Sequence, residues 1–224
     1  MPTLRLIESR ALTGRNKHFA FEAPFAHEAG QYVALSAEVD GAPIQRYYSI
    51  ASPPRPDQRV EFCIHPAGEF GNLLCALQPG DAIECGEPAG KMRLYDAGRA
   101  AVYFAAGTGV APIRAILLAH LAANPRADAT LVLGARTADE LAYLREFDTL
   151  RDRHPRFRLM PTVSRDDPEW NGRRGRVTSH VEEATAGRCD LDGYFCGPPE
   201  MVSDLRERLA AAGIPDERQC FERY

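Results

Sequence analysis

A chain of 224 residues with 45% hydrophobic and 26% charged residues has room for one large domain or two small ones, and its composition excludes disordered and fibrous classes. The net charge is −4; residues 1–97 carry 9 Lys+Arg against 12 Asp+Glu and the rest 18 against 19, so neither half has the basic excess of a nucleic-acid binder. Apolar runs are too short to span a bilayer and the N-terminus reads neither as a signal peptide nor as a lipidation site, so a cytoplasmic protein without a membrane partner is expected.

Residues 4–10, 18–23, 31–39, 44–51 and 59–65 read as short strands, separated by turn signals such as Thr13-Gly14-Arg15-Asn16 and Asp40-Gly41. Their spacing of about ten residues suggests an antiparallel barrel or sandwich. The fourth strand carries Arg46-Tyr47-Tyr48-Ser49, in which alternation puts Arg46 and Tyr48 on one face, Tyr47 and Ser49 on the other. A guanidinium suits a phosphate, a ring suits a flat heterocycle, and a hydroxyl can bond a ring nitrogen. A flavin nucleotide offers all three, although ordinary strand also produces such runs. Gly68-Glu69-Phe70-Gly71-Asn72-Leu73-Leu74 then reads as a glycine-bordered helix start, whose free N–H groups suit a pyrophosphate. Pro79-Gly80-Asp81 ends that helix, 82–87 reads as a last strand, and Glu87-Pro88-Ala89-Gly90 as a loop.

The pattern changes near residue 97. Ala100–Ala106 is a continuous apolar run, typical of a parallel strand buried on both faces. Gly107-Thr108-Gly109-Val110-Ala111-Pro112 follows, and Ile113, Ile116, Leu117 and Leu121 then repeat at helical spacing. Strand, glycine turn and helix in that order make a dinucleotide phosphate site. Strands at 130–134, 157–163 and 194–196 alternate with helices at 141–150, 176–183 and around Met201–Leu209. Such β-α-β units imply a parallel sheet with ligands at the strand carboxyl ends. Arg136, Arg165, Arg173, Arg174 and Arg176 fall in loops at those ends, either simply solvated or placed for a 2′-phosphate. The six cysteines lack zinc or iron–sulfur spacing; no metal is expected, and most read as buried reduced thiols.

Taken together, Arg46–Ser49, Gly68–Leu73, Gly107–Pro112, Cys196-Gly197-Pro198-Pro199-Glu200-Met201 and Phe221-Glu222-Arg223-Tyr224 stand in the order of the ferredoxin–NADP reductase superfamily, which the chain resembles over essentially its whole length. The resemblance implies a six-stranded antiparallel Greek-key flavin-binding β-barrel over residues 1–96 and an α/β parallel-sheet NAD(P)-binding domain over 97–224. It implies that Arg46 holds the FAD pyrophosphate, Tyr48 lies against the isoalloxazine, and Ser49 bonds near flavin N5. Tyr47, Ile64, His65, Gly68, Phe70, Gly71, Asn72 and Leu73 complete the implied FAD contacts. The family usually has Ser or Thr where Gly71 stands, so one phosphate contact is missing and the N–H groups of Gly71, Asn72 and Leu73 are expected to serve instead. Thr108 is implied at the nicotinamide end and Cys196 beside nicotinamide C4. Gly107, Gly109, Ala111, Pro112, Arg136, Ser164, Arg165, Arg176, Gly197, Pro198 and Met201 are the other implied nucleotide contacts. Glu222 is implied to couple with Ser49 and Cys196 in the proton and hydride path, and Tyr224 to cover the flavin until nicotinamide displaces it.

The expected activity is an FAD-dependent oxidoreductase moving hydride between NADPH or NADH and the flavin. A separate ferredoxin, flavodoxin or oxygenase component is the expected electron partner, since no cluster domain flanks the two modules, and a monomer is expected. The arginine set leans toward NADPH because no acidic residue directly follows Gly134, while Asp139 and Glu140 keep NADH open. A free-flavin or small-molecule reductase is the alternative enzyme. A flavin- or nucleotide-binding regulatory module is the non-enzymatic one.

Overall fold

Alternating apolar residues build the first half. In β1 (Thr3–Ala11) Leu4 and Leu6 point inward while their neighbours face solvent. The computed structural model describes residues 2–39 and 41–224; Asp40, read as part of a turn, lies outside them. β2 (Lys17–Glu22), β3 (Tyr32–Val39), β4 (Ala42–Ser49), β5 (Arg59–Ile64) and β6 (Ala82–Cys85) join β1 in one antiparallel sheet, ordered β4-β3-β6-β1-β2-β5. A bridge between Ile50 and Phe62 brings the end of β4 onto β5, so the two outer strands meet and the sheet closes into a barrel. Phe19, Phe21, Val33, Leu35 and Phe62 fill it, and α1 (Gly68–Ala76) plugs it with Phe70 and Leu74. Burying each such side chain is worth about 2 kcal/mol.

The second half is a parallel sheet, ordered β10-β9-β8-β7-β11-β12, made from β7 (Ala101–Ala106), β8 (Ala129–Ala135), β9 (Phe157–Val163), β10 (Arg173–Arg174), β11 (Asp192–Gly197) and β12 (Gln219–Arg223). One face packs α2 (Val110–Ala123) and α3 (Leu144–Arg153); the other packs α4 (Val181–Thr185) and α5 (Pro199–Ala211). Ala51, Cys63 and Met92 of the first half belong to the same buried cluster as α2 and α3, so the halves share an apolar interface.

Three elements differ from expectation. The helix expected from 141 starts at Leu144, because Tyr143 adopts a left-handed backbone at φ 60°. The helix expected over 176–183 is a 3-10 turn at Val177–His180 followed by the short α4. Residues Gln219–Arg223 form a strand parallel to β11, pairing Cys196 with Glu222.

Candidate active site between the two sheets

Four side chains from different elements meet where the barrel faces the carboxyl ends of β7 and β11. Ser49 ends β4 opposite Tyr32, and its hydroxyl is close enough to the Glu222 carboxyl to favour the charged form. Glu222 lies beside Cys196 in the β11–β12 register, and its Oε1 would stand 3.3 Å from a Cβ at Gly90. Burial pushes the Glu222 carboxyl up to about 7, with the Ser49 hydroxyl pulling the other way. The Cys196 thiol is 2% exposed, and burial, then Glu222, raises its pKa. It is therefore a neutral group that contributes shape and not charge. A carboxyl titrating near neutrality beside a hydroxyl can hold or release a proton there.

Tyr224, 59% exposed, donates its hydroxyl to Ala106 O at 2.8 Å, and its ring end lies over the Gly107–Gly109 turn. Gly107 has φ +56°, and a Cβ on it would sit 3.0 Å from the Tyr224 hydroxyl. Gly109 is required for a different reason: its Cβ would lie 2.3 Å from Cys196 O, so the turn packs directly on β11. A cleft of about 560 Å³ opens from this point, lined by Gly107, Thr108, Arg136, Ser164, Arg176, Pro198, Met201 and Tyr224. Arg15, Asn16 and His65 of the barrel close its other wall, with Arg15 3.4 Å from Glu140 and His65 Nδ1 2.7 Å from Arg15 O.

On the barrel side Tyr48 packs on the core and stacks on Phe70 with centroids 6.2 Å apart, while Arg46 and Tyr47 are exposed. The β3–β4 register runs unbroken from Arg46 opposite Leu35 to Ser49 opposite Tyr32, without a bulge to re-aim these side chains. The start of α1 has no side-chain cap, leaving the amides of Gly68, Glu69 and Phe70 without intrahelical partners. Three free donors at a helix start suit a pyrophosphate.

Several expectations need correction. Since α1 begins at Gly68, the N–H groups of Gly71, Asn72 and Leu73 are used inside the helix, and the free amides at its start are those of Gly68, Glu69 and Phe70. Gly71 cannot carry the usual Ser or Thr, because a Cβ would lie 2.8 Å from Pro66 C. Ile64, Phe70 and Ala111 are 1%, 3% and 2% exposed, and Pro112 is also buried; their side chains fill the interior instead of facing a ligand. Arg165 stays outside the cleft: its N–H bonds Arg136 O while its side chain is exposed. Arg174 is committed to Asp166, Asp167 O and Trp170 O, and Arg173 to Glu183. Sequence reasoning missed Arg15, Asn16, Thr178, Glu200 and Asp204 as lining residues. Glu200 lay inside a recognised motif, whereas Arg15 was readable only as a turn.

Residues 3–94 match the oxidoreductase FAD-binding domain family, and residues 104–207 match the oxidoreductase NAD-binding domain family. Ferredoxin--NADP reductase B of Sorangium cellulosum is 33% identical over 235 aligned positions, covering 98% of this chain and 96% of that one. The chain belongs to the ferredoxin–NADP reductase superfamily. It is an FAD- and NAD(P)-binding oxidoreductase. The xylene/toluene monooxygenase electron transfer component of Pseudomonas putida is 32% identical over 97% of this chain, which spans 66% of that relative. The Amycolatopsis cytochrome P450 reductase has the same fold at TM-score 0.88 and 29% identity, over 99% of this chain and 69% of its own. In a member of this superfamily the barrel is the FAD half and the parallel sheet the NAD(P) half, so Ser49, Cys196, Glu222 and Tyr224 lie at their junction. No helix of the described residues is long and apolar enough to cross a membrane.

Proposed function

We propose that this reductase takes hydride from NADPH and passes electrons singly to a separate ferredoxin- or flavodoxin-type carrier or oxygenase component in the cytoplasm. The observation that carries the reading is the convergence of Ser49, Glu222, Cys196 and Tyr224 at one point between an FAD half and an NAD(P) half. Bound FAD supplies a ring that accepts hydride and gives up its electrons one at a time. Arg46 and the amides of Gly68, Glu69 and Phe70 hold its phosphates; Tyr48 supports the ring from the barrel; Ser49 orients it at N5. The Gly107–Gly109 turn and the start of α2 seat the pyridine nucleotide pyrophosphate. Nicotinamide takes the place of the Tyr224 ring, against Cys196 and Thr108. Glu222 holds the proton balance through Ser49.

Coenzyme choice rests on Arg136 and Arg176, which line the cleft and have no ion-pair partner among the described residues. Of the two acids that kept NADH open, Glu140 is engaged with Arg15 and Asp139 accepts from the Thr137 hydroxyl. The working division of the chain is 1–96 and 97–224, and the active unit is a monomer. A free-flavin reductase is favoured by one observation, the absence of a phosphate-binding side chain at Gly71. Steady-state assays with NADPH separate the two: the carrier reading expects faster reduction of a ferredoxin or flavodoxin than of added FMN or FAD. Reduction of free flavins alone, with FAD lost on gel filtration, rejects it.

A further inference from the structure

Beneath the cofactor junction lies a buried polar assembly that the reading above does not use. Arg114, in the second turn of α2, is 7% exposed. Its Nη1 donates to Ala51 O and to Glu61 Oε2, both at 2.7 Å. Its Nε lies 3.0 Å from both Glu146 oxygens, and Nη2 is 2.9 Å from Glu146 Oε1. The guanidinium sits 4.6 Å from the centroid of the Tyr143 ring, whose hydroxyl meets His18 Nδ1 at 3.0 Å. Glu61, Ala51 and His18 belong to the barrel half; Arg114, Glu146 and Tyr143 belong to the sheet half.

Two connections give this assembly a functional direction. Ala51 is two residues beyond Ser49, and its N–H bonds Glu61 O at 2.6 Å, so Arg114 grips the chain just past the flavin-facing strand. Arg114 also lies five residues after Gly109, on the helix whose start faces the pyridine nucleotide. One planar fork thus joins both cofactor halves; its five N–H donors in fixed geometry address a carbonyl and two carboxylates together, which a single ammonium does less well. Tyr143, left-handed at φ 60° without being glycine, holds its ring in the place where it supports that fork.

We propose that Arg114 is a positioning residue, which ties the end of the flavin-side strand to the nucleotide helix and so sets how flavin and nicotinamide meet. The kinetic part rests on the two-ring reading; the coupling of the halves does not. The test compares Arg114→Lys, Arg114→Met and Arg114→Met/Glu61→Gln, the last leaving no buried carboxylate without its cation. Expected for Arg114→Met is a tenfold or greater loss in flavin reduction at saturating NADPH, with FAD and NADP+ dissociation constants within threefold of wild type. Arg114→Lys recovers part of that rate. In the apo-protein, amide hydrogen exchange around residues 49–62 and 110–116 accelerates in both segments together. If Arg114→Met does not fold, the double variant carries the same expectations. Unchanged saturated reduction, or a loss that is entirely weaker FAD or nucleotide binding, overturns the proposal. A wild-type protein that binds no FAD defeats the flavoenzyme reading instead, and exchange accelerating in only one segment then defeats the coupling.

Discussion

At the amino ends of the parallel strands, Arg156 and Arg188 lie 3.7 and 3.4 Å from Asp128, Arg188 also holds Asp190, and Arg99 reaches Asp192. They line a basin of about 400 Å³ that Arg126 enters with no ion-pair partner among the described residues. At the carboxyl ends Arg136 and Arg176 enter the larger cleft, likewise without carboxylate partners. The helices explain the contrast. Those following β7 and β8, α2 and α3, end near the basin, where arginines offset the negative poles of the helices and aspartates balance the arginines. The carboxyl end offers helix starts and glycine turns, and there Arg136 and Arg176 share the cleft with Glu140, Glu200 and Asp204 without a close ion pair to them.

The largest effect expected is at the turn that defines the ligand end. Gly109→Ala drives a Cβ against Cys196 O, so nucleotide affinity should fall at least a hundredfold and stability by about 3 kcal/mol, read by titration and thermal unfolding. Combining Arg136→Ala with Arg176→Ala should weaken NADPH by tenfold to a hundredfold, about 1.5–3 kcal/mol, while NADH changes less than threefold. Equal losses for the two coenzymes would remove the distinction between the ends. Tyr224→Ser should tighten NADP+ severalfold, since the ring and nicotinamide compete for one slot.

Glu222→Gln should show its effect in pH dependence. The folded carboxyl titrates near 7 against 4.5 unfolded, so wild-type stability present below pH 4.5 is lost as pH rises to about 7. The variant should therefore gain on wild type across that window and hold a level advantage of about 1 kcal/mol above it, the full shift being discounted for partial solvent contact. A gap that does not change with pH would contradict the placement of Glu222. Smallest of all, Asp128→Asn should cost about 0.5 kcal/mol and leave both coenzyme affinities unchanged.

Much of this could be read from the chain. Short strand runs at about ten-residue spacing marked the barrel strands, the apolar run at 100–106 marked the central parallel strand, and the order of the five motifs marked the superfamily. What escaped depended on contacts between distant segments. The pairing of β12 with β11 needed the sheet before Glu222 could be set beside Cys196. Arg165 looked equivalent to Arg136 and Arg176 in sequence, and only the fold shows that those two line the cleft while Arg165 does not. Arg114 drew no reading within the helical repeat after the glycine turn, because its partners Glu61 and Glu146 are 53 and 32 residues away.

The reductase assignment is tested most directly by loading the protein with FAD and titrating it anaerobically with NADPH while recording the flavin spectrum. Stoichiometric bleaching, slowed at least tenfold in Ser49→Ala with FAD still bound, is the predicted result. A protein that takes up no FAD, or whose flavin stays oxidised in excess NADPH and NADH, would contradict it.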